Sequence, residues 1–393
     1  GGAERSLCSL LNGIIAPNSK YNTSNNFQPL ISSPETTNKN LEPWSVSTCF
    51  AMNGEPTGLL NPVIKKHIID ISTESIFSGL AWRLRSKKTD QSQPWLFGRH
   101  LRNVNNRFGK KVGDWLDQMS EKPSLGITQL EWSAGAAKAF TERNIPYLIF
   151  IRDDIPFRYP HIFSQAISGA ICVCTAGVGL GKQVKNNFSI NMNSNIPLPI
   201  DYGKRFIDLT NVKRIRSKGL EKRKDTLDSP RFSIVGITPE KGLETYNRLF
   251  PHILKKWPEA HFDLYGSGAY IERLTYHENV SLHGHVPIQE AFSDTDVHIL
   301  ITETTGSWGR VINEAGIFGV PTVTCSIGSQ PEAVGEGGIV VQDHHNLEEF
   351  ENALRECWKL RHELGLLAFE HASITDHRRS ISIFHTLLEN LIA

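Results

Sequence analysis

The stretch from Thr304 to Val341, TTGSWGRVINEAGIFGVPTVTCSIGSQPEAVGEGGIVV, constrains the fold more than any other part of the chain. It reads as a glycine-rich loop, a helix, a buried strand, a second loop and a second strand. Gly306, Ser307 and Gly309 permit a tight turn close to a ligand, and a helix is predicted over residues 310–318 directly after it. The first amides of a helix lack internal partners and lie at the positive end of its dipole, which suits phosphate. Glu314 stands one turn in, the only carboxylate between Glu303 and Glu332. Gly319 and Pro321 stop the helix, and residues 322–325 form a short β-branched strand. Ser329 to Glu332 is expected as a loop at the same end of the sheet.

The chain before this stretch repeats the alternation. Strands are predicted at 231–236, 261–265, 280–282 and 297–301, with helices at 243–257 and 288–292. Gly266-Ser267-Gly268 and Gly284-His285-Val286 follow two of these strands, and Pro251 is the place for a kink in the longer helix. Strands and helices joined by short glycine loops imply a parallel, doubly wound sheet. Residues 347–393 read as helical with a polar break at Thr375-Asp376-His377.

The first half is less regular. Residues 17–40 are rich in Asn, Ser and Thr without a period and read as a long loop. Between 41 and 120 short apolar runs alternate with the basic residues Arg83, Arg85, Lys87, Lys88, Arg99, Arg102, Arg107, Lys110 and Lys111, near Trp82 and Trp95. That pattern fits a solvated helix face, or a face for an acceptor or a membrane surface. A helix at 135–143 leads to a strand at 146–151 that ends in Arg152-Asp153-Asp154. Charges directly after a buried strand either point into the crevice above the strand ends or close the loop as an ion pair, and both readings stay open. A strand at 170–175 runs into AGVGLGKQ, which is no P-loop, because Ala176 takes the first glycine position and Gln183 that of Ser/Thr. It is expected as a strand-to-helix turn. Residues 204–224 are again basic and read as a linker.

A chain of 393 residues is long enough for two domains with cores of their own. Lys plus Arg number 42 against 41 Asp plus Glu, so no basic field argues for nucleic acid. The six cysteines lack CxxC spacing and are expected as reduced core thiols. No apolar run reaches the ~18–20 residues of a membrane span, and no signal peptide is visible. The expected location is the cytoplasm, with peripheral contact at the inner membrane face through the basic segments.

With these motifs in place the chain resembles the retaining GT-B glycosyltransferases of family 4 (glycosyl transferases group 1). Their pattern is a Glu, seven residues, a second Glu inside a helix, then G-x-P-x-V and a P-E loop. Glu314, Gly319-Val320-Pro321-Thr322-Val323 and Pro331-Glu332 match it, whereas the first Glu falls on Gly306. Val235-Gly236-Ile237-Thr238-Pro239-Glu240-Lys241-Gly242 resembles the family's V-G-R-x-x-P-E-K-G with its Arg deleted. Gly1-Gly2-Ala3-Glu4-Arg5 resembles the family's first glycine turn, so the strand before it is expected to be missing from this sequence. On pattern alone a Gly-Gly start is more often an artificial remnant, and the Ala3-Glu4-Arg5-Ser6-Leu7 that follows brings the two readings level.

The resemblance implies an α/β, GT-B fold of two Rossmann-like doubly wound parallel-sheet domains facing a central cleft. An acceptor-side domain would span 1–205, a basic linker 206–228, a donor-binding domain 229–375, and a helix at 376–393 would cross back. It implies transfer of a hexose from a UDP- or GDP-type sugar to a hydroxyl of a glycan, lipid-linked saccharide or small molecule, with retention and without metal or cofactor. Lys241 would neutralise the leaving diphosphate, where negative charge grows as the sugar bond breaks. Arg152 and Asp153 would stand where the family often carries a His-Asp pair. Glu314 would accept the ribose hydroxyls, and Gly284-His285-Val286 would face the base. Gly1, Gly2, Gly236, Gly266, Ser307, Trp308, Gly309, Arg310 and Val311 would line the donor, with Arg310 standing in for the deleted cation. Lys241 and Glu314 also have plainer readings, a solvated lysine and a helix carboxylate. The alternative class is a non-catalytic relative that binds a nucleotide or glycan, or serves as a partner subunit.

Overall fold

The computed structural model describes residues 2–15, 45–50, 60, 62–68, 94–200, 229–266, 270–275, 277–305 and 308–392. Gly1, Ser307, the 17–40 loop, the 206–228 linker, and Trp82 to Lys88 lie outside the described residues. The described residues divide into two compact units, one from those before Ile200 together with Ser380 onwards, the other from Ile200 to Arg379.

The first unit is built on a parallel sheet in the order β3 (Gly126–Gln129), β4 (Tyr147–Ile151), β5 (Cys172–Thr175) and β6 (Asn193–Asn195). A separate parallel pair joins β1 (Ser47–Phe50) to β2 (Lys65–Ile68). Every residue of β4 is buried, as a central parallel strand requires. Alternation along it decides which layer each side chain meets. Tyr147, Ile149 and Ile151 face a core shared with α2 (Pro94–Asp117), α3 (Ser133–Thr141) and α5 (Pro160–Ser168). Leu148 and Phe150 face α1 (Gly2–Ile15) and the last helix, α13 (His377–Ile392), with Phe150 against Phe384 at 5.8 Å between ring centres.

Helix α2 corrects the irregular reading of residues 41–120. Its core positions Phe97, Leu101, Val104, Phe108, Val112 and Leu116 recur at helical spacing, hidden in the sequence by Gly98, Gly109 and Gly113 between them. Those glycines serve packing. A Cβ on Gly109 would stand 2.5 Å from the Gly135 carbonyl of α3. Asn105 locks the same crossing: its Oδ1 accepts from the Gly135 amide at 2.8 Å and its Nδ2 donates to the Glu131 carbonyl at 2.8 Å. Arg99, Arg102, Lys110 and Trp95 lie on the exposed face. The AGVGLGKQ segment is a strand-to-helix turn, with Gly177 capping α6 (Val178–Asn187).

The second unit holds six parallel strands: β7 (Arg231–Val235), β8 (His261–Tyr265), β9 (Val280–Gly284), β10 (Val297–Leu300), β11 (Thr322–Cys325) and β12 (Gly338–Val341). Their order, β12-β11-β10-β7-β8-β9, is the doubly wound arrangement in which the direction of winding reverses between β7 and β10. Helix α7 (Leu243–Lys256) runs through Pro251 and shares a core with α11 (Leu347–Lys359), centred on Phe232, Phe250 and Phe262. Residues 329–332, expected as a loop, begin the short helix α10 (Gln330–Val334), because Pro331 in its first turn has its φ preset for a helix. The tail breaks where the sequence predicts, between α12 (Arg361–Ala372) and α13. The cysteines described at side-chain level, Cys8, Cys172, Cys174, Cys325 and Cys357, are buried free thiols. No described helix is long and apolar enough to cross a membrane.

Candidate functional site

In a doubly wound sheet a ligand settles above the strand ends where the winding reverses, which here means the ends of β7 and β10. Strand β7 finishes at Gly236, whose φ of 73° is available to glycine at little cost. A single 3-10 turn, Pro239–Lys241, and Gly242 with φ 72° then turn the chain into α7. This reversal carries the Lys241 ammonium back over the strand end, 3.5 Å from the Val235 carbonyl. A Cβ on Gly236 would stand 2.8 Å from Lys241 Nζ, so glycine leaves the room that the cation occupies.

The neighbouring strand ends are also glycine. Gly266 (φ 120°) lies against the Gly236 backbone and donates its amide to the Gly284 carbonyl at 2.6 Å, while the Gly236 amide donates to the Tyr265 carbonyl at 2.7 Å. Gly284 (φ 66°) has open space where a Cβ would be. Beyond it His285 is exposed and Val286 half-buried. The ordered histidine of this edge is His283, which sequence reasoning missed. Its Nε2 lies 2.6 Å from the buried Asp263 carboxylate and its ring stacks on Tyr265 at 4.8 Å.

The end of β10 is tied to the lysine turn. The Glu303 amide and the Thr302 hydroxyl both donate to the Glu240 carbonyl, at 2.8 and 3.2 Å. The Tyr246 hydroxyl accepts from the Ile301 amide at 3.2 Å and reaches β10 from α7. Burial raises the tyrosine's pKa well above its ordinary value and keeps it neutral. These contacts fix Lys241 relative to the loop that follows β10.

After that loop the chain passes through Trp308 and Gly309 into α9 (Arg310–Gly316). Gly309 has φ 75° and comes so near Leu300 that a Cβ would stand 2.7 Å from its Cδ2. Trp308 Nε1 donates to Asn313 Oδ1 at 2.8 Å, and Asn313 Nδ2 donates to the Ala333 carbonyl at 2.9 Å, so the loop is bolted to α10. Asn313 is the second residue missed from sequence, although its place one turn after a loop tryptophan is a readable signal. Val311 and Glu314 are buried, and Arg310 Nη2 stands 3.9 Å from Glu314 Oε1. The arginine's charge is thus directed along its own helix toward the carboxylate.

In the first unit Arg152 and Asp153 follow β4. The Arg152 guanidinium lies 4.6 Å from the centre of the Phe150 ring. Asp153 accepts the Ile155 amide at 3.1 Å, while burial pushes its carboxyl up to about 6. Gly2 is already the first residue of α1. Two groups among the described residues bring histidine and carboxylate donors close enough to share a metal ion: Glu303 with His344 and His345, and His252 with Glu348 and Glu351.

Residues 229–359 match the family model described as Glycosyl transferases group 1, a span that runs from β7 through α11 and contains all of the second sheet. Sucrose-phosphate synthase from Thermosynechococcus elongatus superposes with a TM-score of 0.66 at 14% identity, covering 88% of this chain and 89% of that one. HepE of Anabaena, solved in complex with UDP and glucose, gives 0.64 at 15% identity over 100% of this chain and 96% of that one. A glycosyltransferase from Rickettsia africae gives 0.58 at 14% identity, over 84% and 85%. The chain has the GT-B fold. No curated protein matches it in sequence. Together the domain match and the GT-B fold support a glycosyltransferase.

Proposed function

We propose that this GT-B protein transfers a hexose from a UDP- or GDP-type sugar to an acceptor hydroxyl, with retention at the anomeric carbon. The observation that carries the reading is the Lys241 ammonium lying over Gly236 at the strand end where the winding reverses. Breaking a glycosyl phosphate bond places negative charge on the departing diphosphate, and a cation already in position stabilises it without reorganising at the moment of reaction. Glu314, buried one turn into α9, is the carboxylate for two ribose hydroxyls, a bidentate acceptor role that an ionised carboxylate fills well. Gly236, Gly266 and Gly284 keep the strand ends free of side chains, so a nucleotide can approach the backbone. Arg152 and Asp153 act on the acceptor side in this reading. The acceptor is a glycan or a lipid-linked saccharide, and the basic exposed face of α2, with Trp95, supports approach to an anionic lipid surface. Retention in this scheme uses no protein nucleophile, metal or cofactor.

One observation favours the non-catalytic alternative. Glu303, the carboxylate nearest to the family's missing first Glu, is engaged by Thr245 and His344. Calorimetry or saturation-transfer NMR with UDP, GDP and their common sugars decides between the two. Binding of one sugar nucleotide that is lost in Lys241→Ala and Glu314→Ala, with slow hydrolysis of that donor, supports transfer. Binding without turnover of any donor supports a non-catalytic nucleotide binder, and binding of none rejects transfer in favour of a non-catalytic glycan binder or partner subunit.

A further inference from the structure

We propose that Glu303, His344 and His345 form a binding site for a divalent transition-metal ion of the zinc class, a site independent of the transferase reading. His344 Nε2 stands 2.9 Å from Glu303 Oε2, and His345 Nε2 stands 3.7 Å from the same oxygen. All three donor atoms lie within 4.8 Å of one another. Zinc bonds of about 2.0–2.1 Å in a tetrahedral shell put ligand atoms roughly 3.3 Å apart, inside the range these atoms already span. Two imidazoles and one carboxylate make a three-ligand set that leaves one position open, and imidazole selects zinc-like ions over calcium or magnesium.

The surroundings hold the donors in place without an ion. Thr245 donates its hydroxyl to Glu303 Oε1 at 3.1 Å and leaves Oε2 toward the imidazoles, as outer partners of metal-bound carboxylates do. The Glu303 backbone is fixed by its amide bond to the Glu240 carbonyl at 2.8 Å. The histidine loop is fixed as well: Glu349 accepts the Gln342 and Asp343 amides at 2.6 and 3.2 Å, and Asp343 accepts the His345 amide at 3.0 Å. His344 is buried, and the two histidine rings lie 4.0 Å apart.

Arg248 opposes the ion. Its Nη2 lies 3.2 Å from His345 Nδ1, so the arginine donates to that nitrogen and holds the ring proton on Nε2. Metal on Nε2 requires the opposite tautomer, so the exposed Arg248 side chain must swing into solvent. The second cluster lacks this option. There Lys256 Nζ is 2.7 Å from Glu348 and 2.9 Å from Glu351, and Arg355 Nε lies 2.9 Å from Glu351, so fixed cations already fill it. An ion at the first site would join the end of β12 to Glu303, the residue that leads into the loop before α9.

The test is zinc titration of the chelator-treated full chain by calorimetry, with cobalt(II) absorption as the optical readout. One ion per chain is expected, with binding lost in His345→Ala, an exposed position that leaves the core intact, and in His344→Ala and Glu303→Gln. Thr245→Val should weaken binding about tenfold. Arg248→Ala should tighten it about tenfold by removing a nearby charge and freeing Nδ1. His252→Ala should leave it unchanged. Absence of zinc binding, or binding that survives in both His345→Ala and Glu303→Gln, overturns the proposal.

Discussion

The two units use left-handed backbone in opposite ways. Gly236, Gly242, Gly266, Gly284, Gly309, Gly319, Gly328 and Gly335, the described glycines with positive φ, all lie in the second unit. Among the described residues of the first unit the positive-φ ones are Leu130 and Asn144, and the close-packed Gly109 and Gly135 sit in ordinary helices. The second unit therefore clears its strand ends with backbone turns, while the first ends β4 in the charged side chains of Arg152 and Asp153. A crevice edged by backbone can take a ligand common to many proteins, whereas one edged by side chains suits a ligand particular to one. This fits a domain match confined to residues 229–359.

The largest effect expected is at Lys241. Lys241→Ala should lower kcat for donor hydrolysis or transfer about 10²–10³-fold with the fold intact, checked by steady-state kinetics and circular dichroism. Gly236→Ala should reproduce much of that loss, because its Cβ and the ammonium compete for one space. An unaffected Gly236→Ala enzyme would break the idea that the glycine ends shape the crevice. Glu314→Gln comes next. Loss of a charge-assisted hydrogen-bond pair worth roughly 1.5–3 kcal/mol should weaken donor binding about 10- to 100-fold, read by calorimetry, with the acceptor KM unmoved.

Stability separates the two kinds of glycine. Gly135→Ala should cost about 1–3 kcal/mol in urea unfolding, since its Cβ would drive into the Asn105 carbonyl of α2. Gly319→Ala, with φ 67° and its nearest atom 3.7 Å away, should cost about 1 kcal/mol from backbone strain alone. Equal costs would erase the distinction. The smallest effect is expected at Asp153. A folded pKa of about 6, above the ordinary carboxylate value, means that the folded state binds the proton more tightly than the unfolded chain. Stability is then lost as pH rises from about 4 to about 6. Asp153→Asn should raise Tm above pH 6 relative to the parent and converge with it below pH 4, measured by thermal melts across that range.

Much of the second unit was legible in the sequence. Its strands are short, β10 and β11 are buried throughout, and β7, β8 and β9 end at Gly236, Gly266 and Gly284, so composition and periodicity mark most of them. The nearest miss there, α10, began at a proline that serves a helix start as well as a turn. The first unit was harder because its longest helix carries three glycines and a basic outer face, which break the visible apolar run. Of the candidate site, Gly309 and Glu314 stood out from the residues alone and Gly236 and Lys241 through the family resemblance, while the approach of Lys241 to Gly236 is a contact only the structure supplies.

The sequence by itself determined where the backbone must turn left-handed and which segments must be buried, because both follow from local sterics and hydrophobic periodicity. Only the tertiary structure decided what meets across the sheet. His283 with Asp263, Asn313 with Ala333, and Glu303 with His344 and His345 join residues whose partners come from other elements. Strand order and register fix such encounters, and side chains brought together from separate strand ends leave no periodic trace in the chain.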